Sequence, residues 1–284
     1  MHLFTLAVVF ALGATIGSFL NVVILRRGTG MGLLRSSFCF TCRTALRFYE
    51  LVPIFSFIAL RGRCHSCRAK IHFQYPLVEA LAGVLFVIVW LREFGGVSLL
   101  DLATHAGAYE RIVPHLILSW ATISTLLVIA AYDLRHKMIP DLFVYVFIVL
   151  AFLSIFPNIQ HTTYNIQLFL NHIGAGVVFF LLFAALWLVS RGKWMGFGDA
   201  KLVAGIGIFL GASTGAAALI LSFWTGALVS VALLSLKRFS GLSPLLQKLT
   251  MKSEIPFAPF LVFGTLAAYF FQLSFWDIAA VFAM

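Results

Sequence analysis

Charge is scarce in this chain. Asp, Glu, Lys and Arg make up 11% of its 284 residues, and only ten residues are acidic. Soluble domains carry about 25%, so a water-facing surface cannot be assembled from this sequence. Disorder needs low hydrophobicity and high charge, and is excluded by the same figures. Four cysteines in a chain of this length exclude a disulfide-dense secreted mini-protein. The 22 glycines show no three-residue period and exclude a collagen-like chain. What is present instead is apolar: hydrophobic residues reach 62% and mean hydropathy is +1.02. The composition predicts an all-α polytopic membrane protein. Twenty basic against ten acidic residues leave a net charge of +10, which reads first as membrane topology and only second as a partner signal.

A spanning helix needs about 20 mostly apolar residues. Runs of this kind occur at 3–25, 75–91, 112–132, 142–156, 166–189, 202–210, 214–236 and 257–275, which predicts about eight transmembrane helices. The first run has no basic segment before it and is closed by Arg26 and Arg27, so it is expected to be a retained span with its N-terminus outside. The stretch 202–236 is read as two helices joined by a turn at Gly211-Ala212-Ser213, because one long helix would put Lys201 and Lys237 on opposite sides. The inside segments are then 26–74, 133–141, 190–201 and 237–256. They hold 9, 2, 3 and 4 Lys/Arg, or 18 of the 20. Only Arg92 and Arg111 fall outside. That asymmetry orients the chain, with both termini outside, and removes any need for a nucleic-acid partner. The expected domains are the first helix (1–25), a cytoplasmic loop domain (26–74) and a transmembrane domain (75–284). The apolar run 51–60 is too short to span and contains Pro53, so it belongs to the loop domain, against the membrane.

All four cysteines lie in that loop, as Cys39-Phe-Thr-Cys42 and Cys64-His-Ser-Cys67. Two such pairs have close to zinc-ribbon spacing, and each turn aims two thiolates at one ion. Two disulfides are the alternative, which the reducing cytosolic side disfavours. The expected site is structural, with Cys39, Cys42, Cys64 and Cys67 holding zinc. His65 reads as a solvated loop residue.

The remaining chemistry must come from the few acids near span ends. Carboxylates at membrane depth are costly and point to function. Asp141, in Ile139-Pro140-Asp141, reads as a helix N-cap. Asp133 and Asp199 lie on separate helices at the same predicted depth and side, so they can meet. Two adjacent carboxylates share one proton, one acting as general base on a water and the other as acid toward a peptide carbonyl. Asp199 is placed at a helix N-terminus and Asp133 at a C-terminus. The helix dipoles thus predict an ionised Asp199 and a protonated Asp133 at rest. Gly196 and Gly198 are expected to let a substrate backbone approach Asp199.

Together these features resemble the type IV prepilin peptidases, membrane aspartyl proteases of pilus, type II secretion and competence systems. The matching blocks, in order, are Gly17-Ser18-Phe19-Leu20-Asn21-Val22-Val23 with Arg26; Arg35 to Cys42; Glu50 to Phe57; Arg61-Gly62-Arg63-Cys64 to Cys67; Tyr75-Pro76-Leu77-Val78-Glu79; Asp133 with Ile139-Pro140-Asp141; Gly196-Phe197-Gly198-Asp199-Ala200-Lys201; and Ile255-Pro256-Phe257-Ala258-Pro259-Phe260. Phe197 and Ala258 are small departures from the residues common in that family. The resemblance implies a protein of the bacterial inner membrane whose Asp133 and Asp199 cleave prepilins or pseudopilins at the cytoplasmic face, removing a short basic leader. It also implies N-methylation of the new terminus from S-adenosylmethionine, with no residues nominated for that step. Glu50, Glu79 and Glu254 are candidate contacts for the basic leader. Membrane lipid is the other expected partner. A presenilin-like protease and a proton-coupled transporter are the competing readings. The first leaves the cysteine loop unexplained.

Overall fold

In the computed structural model of the chain, residues 2–27, 29–30, 32, 36–94, 106–156, 165–239 and 256–282 are described. Among them the regular structure is helical, with two isolated β-bridges in the first loop. The chain packs as two compact units, residues 1–128 and 129–284.

In the first unit α1 (His2–Arg26) packs on α3 (Gln74–Phe94). Val23, Ile24, Val78, Ala82, Phe86 and Val89 are buried there. The loop between these helices carries a 3-10 turn (Phe48–Leu51) and the short α2 (Phe55–Ala59). Arg26 is buried at the end of α1, and its guanidinium donates to the carbonyls of Gly32 (2.9 Å) and Ser36 (3.2 Å). The last turn of the helix therefore holds the loop that leaves it. α4 (Ala106–His136) begins in this unit. Its Trp120 stacks on Phe86 at 4.8 Å and donates to the Phe86 carbonyl at 3.2 Å. The helix starts six residues before the expected apolar run and ends past it, at His136.

The second unit holds the end of α4, then α5 (Asp141–Leu153), α6 (Asn165–Ser190), α7 (Phe197–Phe239), α8 (Ala258–Phe271) and α9 (Phe275–Phe282). As a straight rod, the 43 residues of α7 would extend about 65 Å, twice a bilayer's hydrocarbon core. The rod is broken at Gly211 (φ 75°, ψ −175°). The first limb runs against α6, from Phe197 beside Trp187 (5.0 Å between rings) to Ile208, whose carbonyl lies 2.7 Å from His172 Nδ1. The second limb returns along α6, bringing Phe223 to Phe183 at 6.1 Å. α8 lies along this returning limb, with Phe257 against Phe223 at 5.1 Å, and Tyr269 reaches Phe209 of the first limb, also at 5.1 Å. The expected hairpin at Gly211 is therefore present. α8 ends at Phe271 on a left-handed Gln272 (φ 52°), and α9 follows, where the sequence suggested one run to 275.

Among the described residues, four helices are long and apolar enough to cross a membrane: Leu3–Arg26, Val113–His136, Ile166–Ser190 and Phe197–Leu233. Asp141–Leu153 and Ala258–Phe271 are shorter apolar helices. With the two limbs of α7 counted separately and α3 added, the expected eight helical segments are all found. Buried hydroxyls inside them bond back along their own helix: Ser222 to Ala218 O (2.6 Å), Thr265 to Leu261 O (2.6 Å) and Thr122 to Leu118 O (2.7 Å). In lipid no water could satisfy them.

The turn rests on a backbone conformation that only glycine adopts readily. A Cβ at Gly211 would also meet Asn171 Nδ2 at 2.8 Å, and Asn171 Oδ1 accepts from Ala212 N at 3.4 Å. Gly211→Ala is expected to destabilise the protein by about 1–3 kcal/mol, read as a lowered thermal midpoint in detergent. An unchanged midpoint would show that the hairpin does not depend on this residue.

Candidate active site and metal centre

Among the described residues of the second unit, Asp133 and Asp199 are the buried acids. Asp133 is 4% exposed and lies three residues before the end of α4, as the sequence suggested. Asp199 is 7% exposed and lies in the first turn of α7. Gly196 precedes that helix, donating its N–H to Asp199 Oδ2 (3.1 Å) while its carbonyl accepts from Asp199 N (3.1 Å). The two carboxylates are close enough to interact electrostatically.

Asp133 also meets a helix start. Its Oδ2 accepts from Ala258 N, the first residue of α8, at 3.1 Å. Pro259 follows in the opening turn, where a missing N–H costs nothing. In the sequence the block 255–260 carries the family resemblance but no legible role. The Ala258 contact also corrects the expected asymmetry of the pair. The C-terminal end of α4 is offset by the N-terminal end of α8, so each carboxylate receives one backbone N–H from a helix start. Helix dipoles no longer select which one carries the proton.

Gly198 differs from expectation as well. A Cβ at Gly198 would come within 3.0 Å of Ile139 Cβ, so the space beside it is filled by the loop that joins α4 to α5. Asp141 is not the N-cap of α5. Pro140 holds that position without a side-chain cap, and Asp141 is the first helical residue. Its Oδ1 instead pairs with Lys201 Nζ at 2.8 Å. The ammonium lies 5.2 Å from the Phe197 ring centroid and 5.6 Å from that of Tyr145. Ile139 and Asp141 thus bind the start of α5 to the turn that carries Asp199.

In the first unit, the four cysteine sulfurs lie within 4.8 Å of one another, and Cys39 and Cys67 are 3.8 Å apart. All four are free thiols. The two turns repeat one design. Cys39 N bonds Thr44 O and Arg43 N bonds Cys39 O; Cys64 N bonds Ala69 O and Arg68 N bonds Cys64 O, all at 2.8–3.0 Å. Arg43 and Arg68 take matching left-handed conformations (φ 59° and 60°) just after the second cysteine of each pair. Hydrogen bonds from Thr44, side chain and then backbone, bring the Cys42 thiol down to about 6. The Ala69 N–H favours a Cys67 thiolate, yet burial and the neighbouring sulfurs push that thiol up to about 11. Four thiolates cannot gather here unless a cation lies among them. The spacing fits zinc: bonds of about 2.3 Å in a tetrahedron separate sulfurs by about 3.8 Å. His65 is exposed and outside this donor set.

The candidate leader contacts are engaged elsewhere. Glu79 is buried, and its Oε2 accepts from Ile54 N at 2.7 Å. Glu50 Oε2 accepts from Arg47 N at 2.8 Å and caps the 3-10 turn. In each, one carboxylate oxygen is thus occupied by a backbone N–H. Glu254 lies outside the described residues.

The Gly198–Ile139 contact is testable by itself. Gly198→Ala should lower the thermal midpoint, and adding Ile139→Ala should restore part of the loss. Additive losses in the double variant would remove this contact as the reason for glycine.

A family model described as the bacterial peptidase A24 N-terminal domain matches residues 11–93, and one described as the type IV leader peptidase family matches residues 120–231. The chain is 30% identical to a prepilin leader peptidase/N-methyltransferase of Bacillus subtilis (strain 168), over 94% of each chain. It is 31% identical to a protein of the same name from Pseudomonas putida, over 92% of this chain and 88% of that one. A third of that name, from Myxococcus xanthus (strain DK1622), is 34% identical over 79% of this chain, which spans 62% of that relative's length. No solved structure matches. With blocks matching in both units, and with relatives aligned over nearly its full length, the chain belongs to the type IV leader peptidase family.

Proposed function

We propose that Asp133 and Asp199 are the catalytic pair with which this membrane enzyme removes the leader from type IV prepilins or pseudopilins. The observation that carries this reading is the convergence of two buried carboxylates, each held by a backbone N–H, at the ends of apolar helices. One carboxylate takes a proton from a water as that water's oxygen bonds to the scissile carbonyl carbon. The other, protonated, donates to the carbonyl oxygen, giving a neutral gem-diol. Collapse of the gem-diol breaks the C–N bond, with a proton passing to the leaving amine. Both carboxyls are then ready for another water. A presenilin-like protease or a proton-coupled transporter would share the aspartates, but neither accounts for the N-terminal family match or the cysteine cluster.

The enzyme is a peptidase with methyltransferase activity, as its relatives' shared name supports. S-adenosylmethionine supplies the methyl group to the new N-terminal amine. No side chain is assigned to that cofactor. Zinc held by Cys39, Cys42, Cys64 and Cys67 organises the loop domain of residues 26–74, which has little core of its own. The basic residues orient the chain in the bacterial inner membrane, with both termini outside and the loop domain and aspartates toward the cytoplasm.

Incubating the purified protein with a prepilin in detergent tests the pair. Asp133→Asn and Asp199→Asn should each lower cleavage at least about a thousandfold, while an Asn oxygen can still accept the Ala258 or Gly196 N–H. Undiminished cleavage in either variant would defeat the assignment. For the metal, elemental analysis should find close to one zinc per chain. Cys64→Ser should release most of it, and less than half a zinc in the unaltered protein would overturn the site.

A further inference from the structure

The cysteine loop has an apolar face that its own unit does not cover. Phe48 is 84% exposed, Phe55 69% and Ile58 67%. Phe55 and Ile58 are three apart on α2 and share a face. In the same loop Arg43, Arg47, Arg61, Arg63, Arg68 and Lys70 are exposed. The only acid between residues 36 and 74 is Glu50, which is turned to the Arg47 N–H.

Glu79 sets the depth of this face. Ile54 has an unusual backbone (φ 61°, ψ −50°) in a tight three-residue turn, and the turn is held by its N–H bonding to Glu79. Such strain persists only where its surroundings hold it. Glu79 is five residues into α3, and its carboxylate lies beside Ser18, eight residues before the end of α1 at Arg26. At about 1.5 Å per residue, these are depths of about 7 Å and 12 Å below the helix ends. The polar layer of a bilayer is about 5–8 Å thick on each side. With the ends of α1 and α3 at the membrane surface, Ile54 and the α2 that starts from it would come to the boundary between headgroups and acyl chains. The backbone suits that depth, because Ser56, Ile58, Leu60 and Gly62 N–H groups all bond within the segment.

We propose that residues 48–60 form an interfacial element, with Phe48, Phe55 and Ile58 in the outer acyl layer and the exposed Arg and Lys of the loop on anionic phospholipid headgroups. Apolar residues carried below a basic rim are what such a surface recognises. The buried Glu79 bond is the anchor, and the lipid contact keeps the cysteine turns flat against the membrane.

Photo-cross-linking in the full chain tests this. p-Benzoylphenylalanine is placed at position 55, at position 48, or at the exposed position 65 on a cysteine turn, with retained zinc as the check on folding. Each protein is reconstituted in nanodiscs of zwitterionic lipid with or without 30% phosphatidylglycerol, irradiated, and read by mass spectrometry. Lipid adducts at 55 and 48 should exceed those at 65 by about fivefold or more, and phosphatidylglycerol should be over-represented in them. Equal adducts at all three positions would overturn the proposal. So would a prepilin adduct at 55 that replaces the lipid adduct when prepilin is added, since the face would then be a substrate-docking surface.

Discussion

Each of the two buried aspartates is held by a backbone N–H from the start of a helix, and the layout of the second unit follows from bringing those helix starts together. A carboxylate away from water needs donors, and a basic side chain at that depth would itself need desolvating. The backbone has spare N–H groups only in the first turn of a helix. Two such turns must therefore reach the end of α4. The hairpin at Gly211 makes this possible, because it returns the chain along α6 so that α8, beside the second limb, can begin near Asp133. Long unbroken helices would supply no free N–H groups at this depth. The broken, short helices of this unit are what a polar site in an apolar medium requires.

The first unit meets the same constraint with side chains. Arg26 gives its guanidinium donors to two loop carbonyls, and Glu79 accepts an N–H that a tight turn would otherwise leave unpaired. In both cases a charged group on a helix fixes the backbone of the connecting loop. The cysteine turns extend this to a cation. Hydrogen bonds favour a thiolate at Cys42, while the crowding of sulfurs opposes one at Cys67. The proposed zinc would resolve that conflict, and four thiols could then tie together a loop that has few apolar contacts.

The sequence revealed whatever depends on polarity and spacing. Apolar runs marked the spans, the Gly211 turn followed from keeping Lys201 and Lys237 on one side, and the paired cysteines gave the cluster. It was silent where function is carried by the backbone. Nothing in the letters Pro256-Phe257-Ala258 says that Ala258 lends its N–H to Asp133, because any residue but proline has that donor. The partners of the acids were hidden for a related reason. Glu79 and Glu50 look available in a chain with few charges and Asp141 reads as a cap, yet each has a partner distant enough, or ordinary enough, to be invisible in sequence: Ile54 N, Arg47 N and Lys201. Scarcity of charge narrowed the search, but it did not separate acids that act from acids that hold.

Asp141 and Lys201 illustrate why holding matters beside the proposed catalytic pair. As an ion pair half open to solvent on the aspartate side, the contact adds at most about 1 kcal/mol to stability. Its geometry is worth more. Lys201 is two residues beyond Asp199 in the first turn of α7, and Asp141 is the first residue of α5, two beyond the Ile139 that fills the space at Gly198. The pair and the packing contact act on the same turn from the same loop, and together they limit how that turn can rotate. Rotation is the freedom that matters, since the Asp199 carboxylate must stay on the Gly196 N–H and face Asp133 at once. A contact of about 1 kcal/mol adds little to the fold as a whole, but here it acts directly on the turn that sets the direction of the Asp199 carboxylate.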